Sequence, residues 1–225
     1  MKYIYHIILV LLSTSCDFHS AEDYFKQAVK LEKEGDFKRA ILFHNKALKK
    51  NSKATASLIN RGSDKSELGD YNGAIVDFEK ILDYDKNNTL ALYAIGDTYS
   101  ELKNYPKAII FYTRALQSEG IIKNLTLNQT KNSIDFSSDN NQYNVQDYYI
   151  YFERGIAYLE NKQFDKAITD LKTSLLNQNG VADCYFLLGK CYVGKKDLTT
   201  ACKNFTQSAR LGDKEAKEQM KKHCL

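Results

Sequence analysis

The sequence predicts an all-α fold: a solenoid of five stacked helix pairs and a capping helix, with a 25-residue insertion between the third and fourth pairs. Three observations predict it. Matching segments recur at a fixed interval along the chain, and periods of roughly 20–50 residues mark a stacked-repeat architecture. Each period carries two small residues twelve apart, as closely crossing helices require. The chain of 225 residues holds one proline, so little interrupts long helices, because proline removes a backbone donor and clashes with the preceding turn.

The helix pairs follow in order. The anchoring small residues are Ala40, Ala74, Ala108, Ala167 and Ala201. Their spacing is constant except between Ala108 and Ala167, where the insertion falls. Twelve residues upstream stand Ala28, Gly62, Gly96, Gly155 and Gly189. Three residues before each alanine is Phe37, Tyr71, Tyr105, Phe164 or Leu198, and four after it is His44, Phe78, Tyr112, Leu171 or Phe205. Spacings of three and four put these side chains on one helical face. His44 and Lys65 are poor occupants of such packing positions, so the first two pairs are expected to be locally weak.

This pattern resembles the tetratricopeptide repeat, a helix–turn–helix unit of about 34 residues. The resemblance runs from Ala21 to about Cys224, apart from the insertion. It departs from the family at the tryptophan early in the unit, here Tyr24, Leu58, Leu92, Tyr151 or Tyr185, and at the proline between units, here Ser52, Lys86, Gly120, Asn179 or Asp213. The implied units are 21–54, 55–88, 89–122, 148–181 and 182–215, with an insertion region over 118–146 and a capping helix over 213–225. Asp213 is the expected cap residue of that last helix, with Ala216, Met220 and Cys224 as its apolar stripe. A polar-faced end helix is what a stack of repeats needs to close its core.

Within the insertion, Leu125 and Leu127, then Ile134 and Phe136, alternate with polar residues on either side of Asn128–Asn132. Alternation around a polar turn reads as a β-hairpin; the other reading is a polar loop. A segment this long in a repeat array is expected to border the binding groove.

The start of the chain carries an address. An apolar run of about ten residues, Tyr3 to Leu12, suits a signal-peptide core and is too short to span a membrane. Ser13-Thr14-Ser15-Cys16 follows and resembles the lipobox of bacterial lipoproteins, with Ser13 where that family has leucine. The resemblance implies removal of residues 1–15, lipidation of Cys16, a tether over 16–20, and a cell-envelope protein facing the periplasm or the exterior. An ordinary signal peptide with an incidental cysteine is the alternative. An oxidising compartment would allow Cys202 and Cys224 to pair and fasten the cap, whereas Cys184 and Cys191 share one helix too far apart to bond and read as packing residues.

Composition excludes several functions. The 32 Lys and Arg stand against 28 Asp and Glu, a formal net charge of +4 without a basic stripe, so nucleic acid is not an expected partner. No histidine pair has metal-ligand spacing, and no phosphate loop or nucleophile motif is present. The chain is therefore expected to carry no catalytic, cofactor or metal site. In the resembled family the first helices line a concave groove, which implies a protein- or peptide-binding wall at Phe25, Ile59, Tyr93, Phe152, Ile156 and Phe186. The competing reading is that these residues pack between helices. The Lys and Asn clamp that holds chaperone C-terminal tails is not matched: Phe25, Val29, Leu90 and Ala94 stand at its positions and only Asn60 fits, so such tails are not expected partners. The expected function is a membrane-anchored adaptor for a protein or peptide. The alternatives are an accessory factor in outer-membrane protein assembly and, from another class, a hydrolase or glycan-active protein, which a clustered histidine or carboxylate pair would favour.

Overall fold

The computed structural model describes residues 19–118, 121–122, 145–177 and 180–224, with Ile121 and Ile122 described by backbone alone. The leader with Cys16 and the hairpin expected over 125–136 lie outside the described residues. Helices α1 (Ala21–Lys33) and α2 (Phe37–Lys50), α3 (Thr55–Glu67) and α4 (Tyr71–Leu82), and α5 (Thr89–Glu101) and α6 (Tyr105–Gln117) form three pairs. After the insertion come α7 (Asp147–Glu160) with α8 (Phe164–Leu176), α9 (Val181–Gly194) with α10 (Leu198–Arg210), and α11 (Lys214–His223). Each helix packs on its neighbours in sequence. First helices also touch across units, α1 on α3, α3 on α5, α5 on α7 and α7 on α9. Second helices make no comparable contact with one another among the described residues. The stack therefore bends with its first helices on the inner wall.

Local chemistry explains why each pair turns where it does. Asp36, Asp70, Asn104 and Asp197 cap the second helices by accepting hydrogen bonds from the backbone N–H groups of Arg39, Gly73, Lys107 and Thr200. Such caps satisfy donors that the first helical turn leaves without partners. The residue before each of these caps, and before Gln163 at the start of α8, is left-handed: Gly35 and Gly69, but Lys103, Lys162 and Lys196 in the later units. That geometry costs a non-glycine residue about 1–2 kcal/mol, so the turn tolerates strain to keep the two helices in contact.

The glycines show what holds a pair together. A Cβ built on Gly62 falls 2.4 Å from Phe78, one on Gly96 falls 2.7 Å from Tyr112, and one on Gly189 falls 2.4 Å from Phe205. On Gly155 it falls 2.9 Å from Leu171. The small residue makes room for the large side chain four residues beyond the anchoring alanine, and those alanines are fully buried. In the first unit Ala28 and His44 occupy the same places, both wholly buried.

The polar residues expected to weaken the first units are instead paired. Lys65 Nζ lies 2.8 Å from Asp77 Oδ2 and donates to the Gly73 carbonyl at 3.2 Å. His44 Nε2 lies 2.7 Å from Glu32 Oε1. Two arginines add matched bridges. Arg154 grips Asp170 with two hydrogen bonds, at 2.7 and 3.0 Å, and reaches Thr113 of the preceding unit at 3.0 Å. Arg61 grips Asp77 in the same fashion and reaches Asn45 of its own preceding unit. Each arginine thus ties its pair together and ties that pair to the one before. Removing one partner of such a buried pair costs about 3–5 kcal/mol.

The insertion does not break the stack. Strand β1 (Ile121–Ile122) pairs in parallel with β2 (Val145–Gln146), Ile121 beside Val145 and Ile122 beside Gln146. Val145 is buried in the same core as Leu92, Ala115 and Ile150, and α7 packs on α6 as other units do. At the far end, Asp213 caps α11 through the N–H groups of Glu215 and Ala216. Cys202 and Cys224 are joined, their sulfurs 2.06 Å apart. Cys184 and Cys191 are buried, and burial pushes their thiols up to about 11 and about 12. Among the described residues no helix is long and apolar enough to cross a membrane.

Gly189→Ala tests the crossing. The added methyl meets a Phe205 ring that is wholly buried, so overpacking of about 1–3 kcal/mol outweighs the gain in helix propensity of about 1 kcal/mol. Chemical denaturation is expected to show a lower midpoint for the variant.

Candidate functional site on the concave wall

The inner wall is built by α1, α3, α5, α7 and α9. The residues expected to line it lie there but are partly consumed by packing. Ile59 is 2% exposed and belongs to the core, so it offers no surface. The Phe25, Tyr93 and Phe186 rings are half-buried. They lean on the second-helix side chains His44, Tyr112 and Phe205, with ring centres 5.9, 5.9 and 6.0 Å apart. Phe152 packs against the core of the fourth and fifth units, and Ile156 is half-buried. Apart from Ile59, these side chains stay partly exposed on the wall.

Carboxylates fill the spaces between them. Asp97 on α5 accepts a hydrogen bond from the Tyr112 hydroxyl at 2.6 Å. Burial and the nearby Glu153 nonetheless push its carboxyl up to about 8. Glu153 on α7 is pushed up to about 7, by burial first and Glu101 second. The Tyr93 and Tyr112 phenols are raised as well, again mainly by burial, with Asp97 adding to it. In the first two units Asp64 is raised to about 7 by burial, Glu32 and Glu67.

Burial leads these shifts, and the placement of the cations leaves it without an offset. Arg61, Lys65 and Arg154 project from α3 and α7 toward the second helices, where Asp77 and Asp170 hold them. Helix α5 carries no lysine or arginine. Among the described residues no lysine or arginine forms an ion pair with Asp97, Glu101 or Glu153. A stretch of the inner wall therefore gathers carboxyl groups without counter-charges, and burial keeps them protonated to about neutral pH until a cation is brought to them.

The sequence places the rings, and Asp97 beside Tyr93, on this wall, but not the convergence of Asp97 with Glu153. Asp97 and Glu153 lie in different units, and nothing local signals that two helices bring them together. The bridging arginines did leave a signal: an Arg followed by an Asp at a separation of 16, in the second and fourth units. Also unanticipated was the cluster of Glu32, His44 and Asp64, in which one ligand-type atom of each lies within 4.8 Å of the others.

Residues 66–119 match the family model of the tetratricopeptide repeat. No curated protein matches the chain. Solved structures similar to it include YrrB, described as a TPR protein with an unusual peptide-binding site, at a TM-score of 0.68 and 20% identity over 90% of this chain and 92% of that one. MamA from Desulfovibrio magneticus RS-1 is similar at a TM-score of 0.68 and 20% identity, over 85% and 94% of the two chains. PilW, described as a widely conserved type IV pilus biogenesis factor, is similar at 0.64 and 16% identity, over 84% and 76%. The helix pairing and these likenesses agree on the fold, a tetratricopeptide-repeat solenoid.

The raised carboxyls make stability depend on pH in a fixed direction. Asp97 and Glu153 titrate near 4 in an unfolded chain and at about 8 and about 7 when folded. The folded state therefore keeps protons that the unfolded state has released. Their contribution is full below about pH 4 and is lost as pH rises through those folded values. Melting temperature is expected to fall between about pH 5 and pH 8.5, and Asp97→Asn is expected to flatten that fall. A slope equal in variant and wild type would contradict the assignment.

Proposed function

We propose that this tetratricopeptide-repeat solenoid is a protein-interaction scaffold that holds a cationic peptide segment of its partner along the concave wall, and that a lipid on Cys16 anchors it to a membrane. The observation that carries the binding reading is the wall of Asp97, Glu101 and Glu153 set between tyrosine rings and left without cations. A lysine or arginine brought to that wall restores the charge balance that burial has disturbed. Its aliphatic stem can lie against the edges of Tyr93 and Phe152, and a guanidinium or ammonium over a ring face gains further attraction. The insertion borders this groove in the same reading, because its base at β2 packs on α5 and α7, the helices that carry Asp97 and Glu153. The anchor is supported by the run from Tyr3 to Leu12 and the small residues before Cys16.

The hydrolase alternative asked for a clustered histidine or carboxylate pair, and Glu32, His44 and Asp64 form one. His44 is 0% exposed with the Phe25 ring beside it, so a substrate does not reach it. Burial favours a held site over a catalytic one.

Binding is tested with a library of short peptides of varied charge. Lysine- and arginine-bearing peptides are expected to bind best and to weaken with rising salt. Asp97→Asn with Glu153→Gln is expected to weaken them at least tenfold while leaving melting temperature at neutral pH unreduced. Equal capture of acidic peptides would sink the reading. The anchor is tested separately: Cys16→Ser is expected to move the chain from the membrane fraction to the soluble fraction of its host.

A further inference from the structure

We propose that Glu32, His44 and Asp64 form a binding site for a single divalent cation of the zinc type, joining the first repeat to the second. The proposal stands apart from the peptide-binding reading, since it uses a different part of the wall and a different ligand. The three side chains come from three successive helices, α1, α2 and α3. His44 Nε2 lies 2.7 Å from Glu32 Oε1 and 3.8 Å from Asp64 Oδ2. In a tetrahedral zinc site with bonds of 2.0–2.1 Å, neighbouring donor atoms stand roughly 3.3 Å apart. The three donors now lie within 4.8 Å of one another, and binding would draw them to that spacing by rotation of the Glu32 and Asp64 side chains.

A second observation points to a ligand. The Asp64 side chain is 4% exposed, and its buried Oδ2 makes no hydrogen bond within the protein. Buried acceptors of this kind are rarely left without a partner. This one faces the only buried imidazole among the described residues. Two carboxylates and a neutral imidazole also balance the charge of a divalent ion.

The surroundings suit such an ion. Asn60 Nδ2 donates to both oxygens of Glu32 at 3.1 Å, which orients that carboxylate as outer-shell partners of metal sites do. The Phe25 ring flanks the imidazole. The Glu32 side chain is 19% exposed, so the ion enters from the groove and a water completes four-fold coordination there. One imidazole with two carboxylates favours zinc or a neighbouring transition ion over calcium or magnesium, which prefer six or more oxygens. No local motif marks the site, because its ligands lie on separate helices and not at the short spacing of a local metal motif.

The experiment uses the untagged chain from residue 16 onward with Cys16→Ser, treated with chelator and then titrated with Zn2+ against a chromophoric competitor, with Co2+ absorption as a second readout. One equivalent is expected to bind, with tetrahedral Co2+ bands and a rise in melting temperature that follows free Zn2+ concentration. Asp64→Asn and Glu32→Gln are each expected to weaken binding at least tenfold while keeping the helical circular dichroism signal. Asp97→Asn, in the other carboxylate group, is expected to bind as the parent does. Absence of binding, or equal binding by parent, Asp64→Asn and Glu32→Gln, overturns the proposal. In that case the cluster is held by protons alone.

Discussion

The structure depends on one steric constraint: in each later unit a glycine on the first helix leaves the space that a large side chain on the second helix fills. Gly62 receives Phe78, Gly96 receives Tyr112, Gly155 receives Leu171 and Gly189 receives Phe205. The inserted side chains are among the most deeply buried in the protein. Because the ring enters where a Cβ is missing, it fixes the rotation of both helices about their axes. Which residues then face the neighbouring unit, and which face the groove, follows from that rotation.

The first unit meets the same constraint with other chemistry. Ala28 replaces the glycine, and the smaller imidazole of His44 replaces the ring. A buried imidazole needs polar partners, since a buried polar group without a hydrogen bond is costly. Glu32 supplies one at Nε2 with Asp64 close by, and the unit gains a polar knot where its neighbours have a hydrocarbon core. The substitution that looks unfavourable by hydrophobicity is thus what assembles three ligand-type side chains at the junction of two repeats.

Charge is sorted between the two sides of the first helices. Arg61 and Arg154 lie toward the second helices, each in a two-pronged grip on an aspartate and a single bond to the preceding unit. These bridges stiffen the stack and withdraw positive charge from the groove. The carboxylates that remain on the wall, Asp97 and Glu153 foremost, are raised because burial is not offset by any nearby cation. The same placement that ties unit to unit leaves the carboxyls of the wall without counter-charges.

The sequence by itself determined the helix pairs, their period, the close approach at the small residues and the apolar cap stripe of α11. All of these arise from contacts within one unit or between residues a fixed few turns apart, which periodicity records. It also carried the aromatic row, because each ring occupies the same place in its unit. Tertiary structure alone decided that Ile59 is lost to the core, that Lys65 and His44 are paired, and that carboxylates from separate units converge. Those outcomes depend on how each unit is rotated against the next. A rotation of that kind brings together side chains whose separation along the chain has no pattern to read.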